Sequence, residues 1–291
     1  MLNIILPFFI ASQYTGPYVY SYASSEQSGT GTTTHLVTMP SGVVSGDLLL
    51  VLLGIGSTNI TTPTGWTAMT TSPDTTRYYA FYKVSNGTEG SSVNFVSSST
   101  GRASSALAIC VKKNNSTPID SYAWGSLVSS KSVTSGSITG GVLTATTVSG
   151  TNVAVGDVIS GVGIPAGVIV TGYITGSGGS GSTMSINNSS FTVSNILITT
   201  IAPNISAPSR TPTGSNRLLL SCYLGVPSNI NNVVAISTTL VSEETKVYDK
   251  TNGYLVSVGY LSLSSSSATG AKVGVINGAP YSTTGLSILV K

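Results

Sequence analysis

The chain has 291 residues, with 12 Lys plus Arg, 9 Asp plus Glu and a single His. Charged residues are 7% of it, against roughly 25% in an ordinary globular domain. Helix formers are scarce beside Val, Thr, Ser and 33 Gly, which argues against a helical bundle and against an α/β enzyme with helical crossovers. The net charge of +3 comes from scattered residues, and the longest basic run is Lys112–Lys113. A grip on nucleic acid needs several phosphate contacts, so no nucleic-acid partner is expected.

The first twelve residues, MLNIILPFFIAS, are mostly apolar but have no Lys or Arg before them, and Pro7 interrupts the run. The run is too short to span a bilayer as a helix. Met1, Leu2, Ile4, Ile5, Leu6, Phe8, Phe9 and Ile10 read as an assembly arm or first strand that packs on its own domain or a neighbour. A cleaved signal peptide is the alternative. Strands are then expected at residues 18–23, 34–39, 48–53, 65–69, 76–84, 93–96 and 103–112, separated by Gly, Pro, Asn and Ser clusters. Such spacing without a helical period is the signature of a sandwich. The apolar stretch beginning at Leu48 follows a Gly-Asp turn and reads as a buried strand, not a membrane span. Asp47 after Gly46 is placed to cap the amides of its turn, and Lys83 and Glu89 flank one hairpin and can pair across it. Cys110 and Cys222 lie in the apolar runs ALAICV and LLLSCYL. They are expected as buried free thiols, with a disulfide between neighbouring strands as the alternative.

The composition shifts near Lys131. Residues 135–193 contain only Tyr173 and Phe191 as aromatics and are dense in Gly, Thr and Val. Very short strands are expected at 142–147, 158–160, 168–175, 183–186 and 191–193 around a thin core of small side chains, with Gly supplying the turns. Further strands follow at 217–224, 233–240, 253–263, 271–275 and 286–290. The expected organisation is all-β: an antiparallel, jelly-roll-like β-sandwich made of residues 1–130 and 196–291, with a small β domain of residues 131–195 inserted into it.

Chemistry has little material. The acids are Glu26, Asp47, Asp74, Glu89, Asp120, Asp157, Glu243, Glu244 and Asp249. Only Glu243 and Glu244 adjoin, and neighbours on a strand point to opposite faces. His35 sits in the alternating strand THLVTM and reads as a packing or surface residue. No nucleophile elbow, HExxH or P-loop is present. No catalytic residue, cofactor or metal ligand is assigned, although a calcium site built from scattered Asp and backbone carbonyls stays open. Trp66, Trp124, Tyr78, Tyr79 and Tyr82 are the candidate glycan-contact aromatics; in the competing reading Trp66 is a core or rim aromatic and alternate members of the Tyr78–Tyr82 run face the core.

The segments MPSGVVSGDLLLVLL (residues 39–53), PTGW (63–66), FYKVSNGTEG (81–90) and SSALAICV (104–111) resemble a β-sandwich domain recurrent in tailed-bacteriophage virion proteins. ITGGVLTATTVSG (138–150), VGDVISGVGIPAGVIVTG (155–172) and GSGGSGSTMSI (176–186) resemble a Gly-rich β module of phage structural proteins. The resemblance implies a tail, fibre or head-decoration protein that self-assembles, carries no known catalytic residues and belongs to the virion, assembled in the host bacterial cytoplasm. Within that class, a head decoration or cement role fits the apolar arm and the absence of heptads for a fibre shaft. Its partners would be other virion proteins such as the major capsid protein, and the class suggests a homo-oligomer, a trimer. The alternative is a tail- or fibre-associated protein that binds a receptor or host surface glycan.

Overall fold

The computed structural model describes residues 15–27, 31–56, 58–70, 72–129, 131–201, 204–227, 236–238, 246–248, 255–276 and 280–291. The apolar arm of residues 1–12 lies outside the described residues, as do Glu243, Glu244 and Asp249. The protein is all-β, with several antiparallel sheets. Among the described residues no helix is long and apolar enough to cross a membrane.

The first set of strands is β1 (Tyr18–Gln27), β2 (Thr34–Thr38), β3 (Leu48–Ile55), β4 (Ile60–Thr61), β5 (Thr67–Ala68), β6 (Tyr78–Val84), β7 (Ser92–Ser97) and β8 (Ser104–Lys112). They form a five-stranded sheet, β1-β8-β3-β6-β5, and a three-stranded sheet, β2-β7-β4. β3 reads LLLVLLGI and is buried along its whole length, because both faces of its sheet are covered. Leu49, Val51 and Leu53 pack with Phe81, Ala108 and Cys110 against Val37, Trp66 and Phe95. Leu48, Leu50 and Leu52 enter a second core on the other face. The turn into β3 is closed by Asp47, whose carboxylate accepts from the Val44 amide (2.8 Å) while Gly46 takes φ +93°.

β9 (Ile119–Trp124) and β10 (Val128–Ser129) are followed by β11 (Lys131–Thr139), β12 (Val142–Ser149), β13 (Val158–Ser160), β14 (Val170–Thr175), β15 (Ser182–Ile186) and β16 (Val193–Ile201). The last six make one sheet in the order β13-β16-β11-β12-β15-β14. Its two ends meet: Ile159 N–H donates to Val168 O (2.9 Å), Val170 N–H donates to Asp157 O (2.9 Å), and Val158 bridges Ile169. The two ends of the sheet are therefore joined over residues 157–159 and 168–170, which covers part of its edges. Val133, Ile138, Leu143, Ile159, Val168, Met184 and Ile198 form its core, and a core this small explains the shortage of large side chains. The turn from Ala154 to Asp157 repeats the Asp47 device, with the Ala154 amide donating to the carboxylate at 2.8 Å and Gly156 at φ +92°. β16 continues this sheet to Ile201, beyond the expected boundary at residue 195.

The remaining strands are β17 (Asn204–Ala207), β18 (Arg217–Pro227), β19 (Ile236–Thr238), β20 (Lys246–Tyr248), β21 (Leu255–Leu263), β22 (Lys272–Ile276) and β23 (Pro280–Val290). Their sheets are β10-β23-β18-β21-β20, with β9 also on β23, and β17-β22-β19. This is the plan of the first set, strand for strand. β9 and β10 stand for β1, β17 for β2, and β18 to β23 for β3 to β8. The register agrees as well: Leu49, Val51 and Leu53 oppose Cys110, Ala108 and Ala106, while Leu219, Ser221 and Tyr223 oppose Leu289, Ser287 and Gly285. Even a bulge in the first strand recurs, at Tyr20 and at Asp120. The strand pairing thus closes residues 18–112 on themselves and joins residues 119–129 to residues 204–290.

The two sets share a core. Leu48, Leu50, Leu52, Leu107 and Ile109 pack with Leu218, Leu220, Cys222, Val256 and Ile288, and Tyr78 donates its hydroxyl to Ser282 O (2.6 Å) across the seam. On the far side β17 crosses so close to β23 that a Cβ at Gly285 would lie 2.4 Å from Ser206 O.

Candidate functional site

The five aromatics proposed to meet a glycan do not form one surface. Trp66 is 8% exposed and packs edge-on against Phe95, with ring centroids 5.8 Å apart. Tyr78 is fully buried on the opposite face of the same sheet. Tyr79 is half-buried and lies parallel to Phe81 at 6.0 Å. Its hydroxyl sits between the Thr58 and Thr75 carbonyls at 2.7 and 2.5 Å, and burial pushes its pKa up to about 12. Tyr82 and Trp124 are partly buried against the shared core, and Trp124 Nε1 donates to Met69 O (3.3 Å). The reason is the second cover: both faces of the β6 sheet are packed, so alternation along TRYYAFYKV yields two buried faces. A ring sealed in a core, as Trp66 and Tyr78 are, offers no face to a sugar from solvent.

The acids are used within the fold. Burial works to raise the Asp74 carboxyl, but Arg77 (2.6 Å) and the Thr76 hydroxyl and amide outweigh it and hold it below the usual range. Burial likewise opposes ionisation of Glu89, yet donors from Ser85 (2.6 Å) and the Asn86 amide (2.9 Å), with Lys83 at 3.2 Å, bring it down to about 2. Asp120 is kept low, against its burial, by the Thr213 hydroxyl (2.5 Å) and amide (2.9 Å) and by Arg217. Asp157 accepts from the Ala154 amide and, at 3.4 Å, from Thr200. Among the described residues no three His, Cys, Asp or Glu side chains come together.

Cys110 and Cys222 are both free and buried, as the apolar runs around them indicate. Burial, with the Asp47 carboxylate 3.5 Å away, raises the Cys110 thiol to about 12, and burial alone raises Cys222. His35 is also buried. Its Nδ1 lies 2.8 Å from Ser104 Oγ and its Nε2 3.1 Å from Ser97 Oγ. The Ser97 hydroxyl points at the Thr33 and Ser99 carbonyls, so Nε2 carries the ring proton and Nδ1 accepts from Ser104. Burial lowers the His35 pKa and keeps the ring neutral.

The exposed aromatics lie elsewhere. On β1, Tyr18 is 38% and Tyr20 51% exposed. The Lys112 ammonium stands 4.2 Å from the Tyr20 ring centre and the Lys113 ammonium 5.7 Å from that of Tyr18. The signal in the sequence is a YVYSY run and a KK pair, which only the antiparallel pairing of Tyr18 with Lys112 brings together. An apolar cavity of about 160 Å³ also lies beside β5 and β6, lined by Ala68, Met69, Tyr78, Tyr79 and Ala80. Compared with protein-family models, curated proteins and solved structures, the chain matches none of them.

Proposed function

We propose that the chain is a structural component of a bacteriophage particle, and within that class a head decoration or cement protein that stabilises the particle through contacts with neighbours such as the major capsid protein. Each strand set is read as a jelly-roll-like β-sandwich, and the sheet of residues 131–201 as a small domain inserted into the second. The observation that carries the reading is the use of charge. Asp74, Glu89, Asp120 and Asp157 each fasten a turn or a strand end, which gives the few charges a task in the scaffold. The surface is left largely to Ser, Thr, Asn and Gly. Hydroxyls and amides give up less hydration than charges when a neighbour covers them for good, so such a surface suits permanent assembly. The phage setting comes from the sequence motifs, and a homo-oligomer, a trimer, is the state that class suggests.

The test is a reconstruction of the particle together with a heat-release assay of particles assembled without this chain. Fixed copies on the shell and genome release at lower temperature without them support the role. Purified particles that lack the chain would overturn it. A second reading, a tail- or fibre-associated protein that contacts a host surface glycan, draws on the exposed Tyr18 and Tyr20; density at the tail instead of the shell would favour it.

A further inference from the structure

The two strand sets put different residues at one position, and the difference marks a site. In the second set the bulge residue is Asp120, and the fold uses it: Thr213 donates to it twice and Arg217 lies 3.5 Å away. In the first set the same bulge holds Tyr20, half out in solvent. Bulges re-aim side chains, and here the surroundings make room for the new direction. Gly42, at φ +71°, lies where a Cβ would come 2.7 Å from the Tyr20 ring. Lys112 is held beside that ring by the Gly42 carbonyl (3.1 Å) and the Asp47 carboxylate (3.3 Å). Lys113 takes φ +59°, a left-handed conformation that is uncommon for such a residue and gathers at functional sites. Its ammonium lies beside Tyr18, and among the described residues it has no carboxylate partner.

We propose that Tyr18, Tyr20, Lys112 and Lys113 form a binding platform for an acidic polysaccharide, one whose sugars carry carboxylates. Tyr18 and Tyr20 are exposed; with an ammonium over one face of each ring, the opposite face is the one offered to the C–H side of a pyranose, and an amphipathic ring suits a ligand with one apolar and one wet side. The ammoniums supply the charge complement. Asp47, the acid next to this patch, is neutralised by Lys112 and by its own turn, which leaves Lys113 to attract a carboxylate of the ligand. This deepens the second reading, the glycan contact drawn from Tyr18 and Tyr20, and does not depend on the assembly role, since the site lies on the isolated chain.

The test is titration of the full-length protein with oligomers of galacturonic acid and, in parallel, with neutral galactose oligomers of equal length. Binding of the acidic oligomer is expected, weakening as salt screens the ammoniums. Tyr20→Ala and Lys113→Ala should each weaken it by about tenfold with thermal unfolding unchanged, while Tyr20→Phe, which keeps the ring, should bind like the parent. No binding, equal binding of neutral and acidic oligomers, or indifference to Tyr20→Ala overturns the proposal. So does a Tyr20→Ala variant whose only change is a lower oligomeric state in sedimentation, because the patch is then a contact between protein copies.

Discussion

The two outer cores occupy the same place in the same strand plan and are filled differently. Under β2-β7-β4, the row formed by Val51, Ala108 and Phe81 is apolar and closes on Trp66 and Phe95. In the second set the matching row is Ser221, Ser287 and Gly259. Among the described residues, the hydroxyls of Ser221, Ser257, Thr283 and Ser287 are buried there without a hydrogen-bond partner. At the position matching Thr283, the first set places Ser104 and satisfies it with His35. A buried polar group left unpaired costs about 1–3 kcal/mol, so the same topology is held tightly on one side and loosely on the other. Strand order and register follow from turns and alternation, and they persist while the filling changes.

The largest contrast is expected from truncation. Trp66→Ala or Phe95→Ala should cost about 3–5 kcal/mol in denaturant unfolding. Ser221→Ala or Ser287→Ala should leave stability unchanged or raise it by about 1 kcal/mol. A loss for Ser287→Ala as large as that for Trp66→Ala breaks the comparison. Importing the second filling into the first, by Val51→Ser, should cost about 2–3 kcal/mol by the same measurement. The close crossing of β17 belongs to the second set only, so Gly285→Ala, which drives a Cβ toward Ser206 O, should destabilise by about 1–3 kcal/mol. The reverse exchange at the matching position, Ala106→Gly, should cost about 1 kcal/mol.

The only His of the chain gives the first set a pH dependence of its own. The folded state holds His35 neutral because burial lowers its pKa, while the unfolded chain takes up a proton near 6.5. The unfolded state therefore binds more protons as the pH falls through that value, and stability falls with acidification toward the lower folded pKa. Unfolding midpoints at neutral and mildly acidic pH should differ in the parent and differ less in His35→Gln. The smallest effect expected is that of Lys83→Ala, at 0–1 kcal/mol.

Several local features were legible in the sequence. The Gly46-Asp47 turn, the pairing of Lys83 with Glu89 and the buried thiols follow from neighbouring residues, and the structure has all three. β3 announced itself because a strand covered on both faces is a continuous apolar run. The repeat did not show, because register is a backbone property and the matched side chains differ, Phe81 against Gly259 and Val51 against Ser221. The joining of the two sheet ends within residues 131–201 rests on a few bonds around Val158 and Ile169, which leave no periodicity to read. The placement of the aromatic cluster was not legible for a related reason: alternation tells which residues share a face, and tertiary packing decides whether that face is open. Tyr20 was missed as a site because its role depends on a bulge and on Lys112, far away in sequence.

Native-state amide hydrogen exchange tests the inequality of the two outer cores most directly, since it reports the opening free energy of each strand separately. Amides of β22 (Lys272–Ile276) should exchange through openings of lower free energy than those of β7 (Ser92–Ser97), and Ser221→Ala should narrow the gap. Equal protection of the two strands, or stronger protection of β22, would contradict the account.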